Sequence, residues 1–193
     1  MNREGGASRR VRAVLTIRIV CAALVAVALA ACAVPVLAVD GIAIEAGKAT
    51  RTDTLRIAAQ WQWPQRWLQG GNWHLGGFWE LNAGQWERES RPGERSRLGE
   101  IGITPVFRIQ ANDLRGFYLE GGIGAHLLSA TALGNKRFGT AFQFGDHLGL
   151  GYRFGARGAF DVGYRYQHLS NADIRRPNNG LDLHQVRLLY WFR

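Results

Sequence analysis

The sequence predicts an all-β chain, an eight-stranded antiparallel transmembrane β-barrel of the outer membrane. Three observations predict it. The chain opens with a basic, then apolar, leader of export type. Helical periodicity is absent after residue 40. Eight stretches then follow in which apolar, often aromatic, residues alternate with polar ones at period two, the pattern of a barrel that faces lipid outside and is polar inside. A soluble β-sandwich shows the same alternation, but these apolar faces are unusually aromatic and follow an export signal. The length of 193 residues suits one domain.

Residues 1–38 read as a signal peptide and 39–193 as the barrel domain. Arg3, Arg9, Arg10, Arg12 and Arg18 form the basic region, and the Ala-rich run to Ala38 ends in small residues at cleavage spacing. The run is long enough to span a bilayer uncleaved, but no second long apolar run follows. Leu29-Ala30-Ala31-Cys32 also has the form of a lipoprotein cleavage box, although six more apolar residues follow Cys32. Cleavage before Val39 takes the formal charge from +9 to about +5, because the leader carries five Arg and one Glu. It also removes both cysteines, Cys21 and Cys32, so no disulfide or thiolate metal site is expected. The residual basic charge meets no nucleic-acid-binding motif, and anionic lipid headgroups fit it better.

The expected strands are 41–47, 54–63, 73–85, 97–109, 116–129, 140–154, 158–170 and 181–192. In the second, Leu55, Ile57, Ala59, Trp61 and Trp63 alternate with Arg56, Ala58, Gln60 and Gln62. In the fifth, Phe117, Leu119, Ile123 and Leu127 alternate with Tyr118, Glu120 and His126. In the sixth, Phe142, Phe144, Leu148, Leu150 and Tyr152 alternate with Gln143, Gly145, His147, Gly149 and Arg153. Inward glycines make room in a narrow barrel filled by side chains. Trp61, Trp63 and Trp67 suit an interfacial aromatic girdle. An even strand count puts both barrel ends on one side, with connections after strands one, three, five and seven at the other, outer side.

The last two strands hold the candidate residues for chemistry. Phe160, Val162, Tyr164, Tyr166, His168 and Ser170 share one face of the seventh strand, and Asp182, His184, Val186, Leu188, Tyr190 and Phe192 share one face of the eighth. His168, Ser170 and Asp182 thus fall on apolar, lipid-facing surfaces, where a polar group is costly. Neighbouring strands sit roughly 5 Å apart, so a nucleophile, a base and a carboxylate can converge there. The plain alternative is three polar residues at a strand end near the headgroups. His126 and Ser129 are separated by an odd number and point to opposite faces; His126 reads as an interior histidine. His147 is also inward, His74 shares parity only with Glu80, and His184, beside Asp182 on the outer face, is placed either to assist it or to contact a headgroup. No zinc-type ligand cluster is visible.

The run His168-Leu-Ser170-Asn171-Ala172, then Pro177-Asn178-Asn179-Gly180, then Asp182, resembles the signature of the PagL-type lipid A 3-O-deacylases. The motif covers about fifteen residues; a looser likeness, including Gly122-Ile-Gly124, covers most of the chain after the leader. The resemblance implies an outer-membrane esterase that hydrolyses the 3-O-linked 3-hydroxyacyl chain of lipid A near the outer leaflet. It implies Ser170 as nucleophile, His168 as base and Asp182 at the acidic position. Asn178 and a backbone amide near Asp173 become oxyanion donors, and Asn171 a further binding residue. Lipopolysaccharide is then the substrate, the membrane is the other partner, a homodimer is allowed, and no cofactor is required. Two positions depart from the family pattern: the acid is Asp rather than Glu, and Asp173 stands where Gly is frequent. The competing expectation is a non-enzymatic barrel, structural or surface-binding.

Overall fold

The computed structural model describes residues 38–94 and 96–192. The expected leader, with both cysteines and the lipobox-like segment, lies outside the described residues, Ala38 apart. Among the described residues, eight long strands form a closed antiparallel ring. They are β1 (Gly41–Ala49), β2 (Thr52–Gln62), β3 (Trp73–Arg88), β4 (Arg97–Ala111), β5 (Gly116–Leu128), β6 (Phe142–Phe154), β7 (Phe160–Ser170) and β8 (Leu181–Trp191). Each pairs with the next, and β1 closes on β8 with Gly41 opposite Trp191 and Lys48 opposite His184. All eight expected stretches are strands. β3 runs three residues beyond its expected end because Trp86 and Glu87 still find partners in Leu98 and Arg97, the latter through an ion pair of 2.9 Å. β7 starts two residues late because Ala156–Gly158 forms a single 3-10 turn.

Alternation sorts the side chains as a bilayer demands. Ile44, Ile57, Phe117, Leu148, Val186 and Leu188 stand exposed on the outside. The inside holds the charges. Arg165 bonds Glu80 and Glu120 at 2.6 Å each, Arg187 bonds Glu80 at 2.8 Å, and Arg108 bonds Glu120 at 2.6 Å and Asp161 at 2.7 Å. Buried charges are costly unless they are paired and hydrogen-bonded. The network draws carboxylates from several strands onto each arginine, so it ties the ring together across its lumen. The interior is therefore a packed polar core and not an open channel.

The connections differ at the two ends. Beside the barrel termini lie 112–115, a tight turn, and 155–159, also short. The longer 63–72 connection, which looks too long for that end, is folded: Trp67–Gly70 pairs back along the start of β3. Trp63 meets Trp67 edge-on at 6.0 Å, Trp79 at 6.1 Å and Phe107 at 5.0 Å. This cluster stacks aromatic rings near one rim, where amphipathic indoles favour the interface. The opposite end carries 50–51, 89–96, 129–141 and 171–180. The last two of these touch: Phe138 bridges to Asn178, and a Cβ on Gly139 would collide with the Arg175 carbonyl. They form a roof over the ends of β6, β7 and β8.

Candidate active site

The β7–β8 register sets His168 directly opposite Asp182. Their shared parity sends both side chains outward, with 41% and 56% of each exposed. His168 Nδ1 lies 2.6 Å from Asp182 Oδ1. A carboxylate can only accept, so the imidazole carries its proton on Nδ1 and leaves Nε2 with a lone pair. Tyr166, two residues before His168 on the same face, also hydrogen-bonds Asp182. Asp182 is thus held from two sides although its side chain is short. Ser170 follows His168 by two positions on the same outer face of β7. Among the described residues, its hydroxyl makes no hydrogen bond.

The far flank of His168 holds a residue that the sequence reading passed over. β6 places Asp146 opposite His168 and Phe144 opposite Ser170. Asp146 is exposed and breaks the apolar face made by Phe144, Leu148 and Leu150. Its even number, shared with those three, was the available signal. Above the ring, Gly180 has φ +46°, and a Cβ there would sit 2.7 Å from His168 Cε1 and 3.2 Å from Nε2. The backbone approaches the imidazole that closely only because this position is Gly.

The 171–180 loop is built on a tight turn. Ile174 N–H donates to Asn171 O at 3.0 Å, and the central residues Ala172 and Asp173 have φ +50° and +60°. Such a turn favours Gly, Asn or Asp at its centre. Asp173 meets that demand without glycine, while Ala172 carries strain of about 1–2 kcal/mol. Asn171 is buried; its N–H donates to Asn178 Oδ1 at 2.9 Å and its Nδ2 to Arg175 O at 2.7 Å. It works inside the loop, holding Asn178 by its carbonyl. Asn178 Nδ2 therefore turns the other way, with one hydrogen toward Asp173 Oδ1 at 3.3 Å. The second Nδ2 hydrogen is left for a ligand.

His126 and His184 are engaged with other partners. His126 is fully buried in the lumen, with Nδ1 2.6 Å from Glu100 Oε1, and a Cβ on Gly145 would stand 2.5 Å from its Nε2. Ser129 sits past the end of β5 and accepts from Gly99 N–H at 2.7 Å. His126 and Ser129 are not brought together. His184 is joined to Tyr164 Oη at 2.6 Å through Nδ1. Among the described residues, His168 stands on the outer face with the Asp182 carboxylate on its ring and Ser170 two positions along the same strand. That set can activate an oxygen nucleophile against an acyl carbonyl presented from the membrane.

Comparison with known proteins points the same way. A family model described as lipid A 3-O-deacylase (PagL) matches residues 53–191. The chain is 39% identical over 142 residues to the lipid A deacylase PagL of Bordetella bronchiseptica, which covers 71% of this chain and 76% of that protein. It is 32% identical over 134 residues to the lipid A deacylase PagL of Pseudomonas aeruginosa, covering 69% of this chain and 75% of that one. A crystal structure of the outer membrane enzyme PagL superposes with a TM-score of 0.70 at 26% identity, covering 78% of this chain and 98% of that chain.

Proposed function

The chain belongs to the PagL family of lipid A 3-O-deacylases, and from that premise we propose that it cleaves the 3-O-acyl ester with Ser170 as nucleophile, His168 as base and Asp182 as the acid. The protein is an outer-membrane hydrolase acting on lipid A. The observation that carries the residue assignment is the His168–Asp182 contact of 2.6 Å on the lipid-facing surface, two residues from Ser170. It lies at the long-loop end, the outer end of such barrels, which supports a site that meets outer-leaflet lipid.

The steps follow from the atoms. Asp182 holds the Nδ1–H tautomer, so Nε2 accepts the Ser170 proton as Oγ attacks the ester carbonyl. Asn178 Nδ2–H and a backbone amide near Asp173 stabilise the oxyanion; one such donor contributes roughly 2.7–4 kcal/mol. The imidazolium that forms lies between Asp182 on β8 and Asp146 on β6. It gives its proton to the departing sugar hydroxyl, which breaks the C–O bond and leaves an acyl-Ser170. Water, deprotonated by His168, then releases the 3-hydroxy fatty acid. The free Ser170 hydroxyl suits a resting site whose hydrogen bonds tighten only with substrate bound. An alkyl fluorophosphonate should label Ser170 in the folded protein in detergent, read by peptide mass. Label on Ser129 instead would overturn the assignment.

Gly180 tests the geometry separately from the chemistry. Gly180→Ala puts a methyl 2.7 Å from His168 Cε1. The imidazole must turn away, and a displacement of about 1 Å costs on the order of 10²-fold in rate. The variant should keep heat-modifiable mobility on gels, the sign of an intact barrel, and lose kcat by that order. Wild-type kcat in Gly180→Ala would show that the ring position does not limit the reaction.

A further inference from the structure

The roof over the site is unbalanced in charge. Residues 129–141 and 171–180 carry Lys136, Arg137, Arg175 and Arg176 against a single carboxylate, Asp173. Among the described residues, none of the four cations forms an ion pair. Arg137 is spent on its own hairpin, donating to Gly134 O at 2.7 Å and Lys136 O at 3.2 Å. Lys136 leans the other way, across to the neighbouring loop, and donates to Asn179 O at 3.2 Å. The next residue is Gly180, whose backbone rests on the His168 ring. The Lys136 ammonium is thereby tied to the residue before Gly180, and among the described residues two of its three N–H donors are unused.

A second cation stands behind it. Arg88, at the end of β3, is only 9% exposed and has no carboxylate partner among the described residues. It bonds neutral oxygens only: Thr50 O at 2.6 Å, Thr52 Oγ1 at 2.8 Å and Asn135 Oδ1 at 3.2 Å; its Nε is buried without a partner. A buried unpaired charge is costly. Burial and repulsion from Arg88 both lower the Lys136 pKa, and attraction to Asp182 opposes them. An anion beside Lys136 would relieve that repulsion and use its free donors.

We propose that Lys136 is the centre of an anion subsite at the mouth of the active site and takes a phosphate of the lipid substrate. The proposal rests on the reading of Ser170, His168 and Asp182 given above. Lipid A carries phosphate on the same sugar backbone as its acyl esters, so one bound phosphate fixes the distance from headgroup to scissile ester. A cation on the roof, above the bilayer surface, meets that group as the acyl chain lies against the barrel wall. Lys136 then sets which ester reaches Ser170, and it acts on binding rather than on bond breaking.

The experiment compares two substrates in neutral-detergent micelles with the purified protein. One is bisphosphorylated lipid A; the other is the same lipid after phosphatase treatment. Lys136→Ala should raise KM roughly tenfold on the phosphorylated lipid, the scale of one charged hydrogen bond. Its kcat should change little, KM on the dephosphorylated lipid should stay at the wild-type value, and Lys136→Arg should restore binding. An equal rise on both substrates would assign Lys136 to holding Asn179, and no rise would leave it idle; either result overturns the subsite. If the rise appears only with phosphatidylglycerol in the micelles, the anion is a neighbouring headgroup and not the substrate's own phosphate, which also overturns it. Ser170→Ala separates the two readings: residual hydrolysis at wild-type rate there would remove the catalytic assignment, whatever Lys136 does.

Discussion

Ser170→Ala and His168→Ala should each abolish release of 3-hydroxy fatty acid from lipid A, while Ser129→Ala should leave most of it. The expected loss for the first two is on the order of 10⁴-fold or more, the scale on which serine hydrolases lose activity when nucleophile or base is removed. Both side chains stand on the outer surface of β7 and support no packing in the lumen, so the barrel should stay folded. Ser129 gives up one hydrogen bond from Gly99 N–H, worth about 1 kcal/mol, outside the ring of strands. The measurement is initial rate at saturating lipid A, beside gel mobility before and after heating. An inactive but folded Ser129→Ala together with an active Ser170→Ala would reverse the assignment. His126→Ala is a poor control, because it empties a lumen position packed against Glu100, Gly102 and Gly145.

The strands were legible because period two is a geometric fact that survives any register. His168, Ser170 and Asp182 share a lipid-facing parity whichever way β7 and β8 slide by two. What parity does not give is the partner across the strand. Asp146 has the parity of Phe144 and Leu148, but only the β6–β7 register sets it opposite His168. Sequence reasoning saw an apolar face and missed the one acid on it. The loops were less legible still, since alternation stops where the ladder stops. Asn171 reads as a binding residue in the motif, yet the turn at Ala172 and Asp173 folds its side chain under the loop. Lys136 carried no motif at all. Its place depends on two loops meeting through Phe138 and Asn178, which are forty residues apart in the chain.

Asp182→Asn should lower the deacylation rate by a large factor, up to about 10⁴ by analogy with serine proteases. The family pattern has Glu at this position, and the shorter side chain raises the question of reach. The contact of 2.6 Å answers it in geometry: strand-opposed placement brings Asp182 Oδ1 to His168 Nδ1 without the extra methylene. Asn in its place can turn its NH₂ toward Nδ1. The ring would then carry its proton on Nε2, where it cannot accept one from Ser170. Asp182→Glu tests the same point from the other side. A longer carboxylate has no room for a straight approach at this register, so it must bend away or push the ring toward Gly180, and rate falls here as well, though less than for Asn. Tyr166 shares the Asp182 carboxylate and would lose or strain its hydrogen bond in both variants. The decisive readout is initial rate for wild type, Asp182→Asn and Asp182→Glu, each checked for heat-modifiable folding. A faster Asp182→Glu enzyme would mean that the short acid leaves the imidazole poorly held when substrate is bound, and that this chain is an attenuated member of its family.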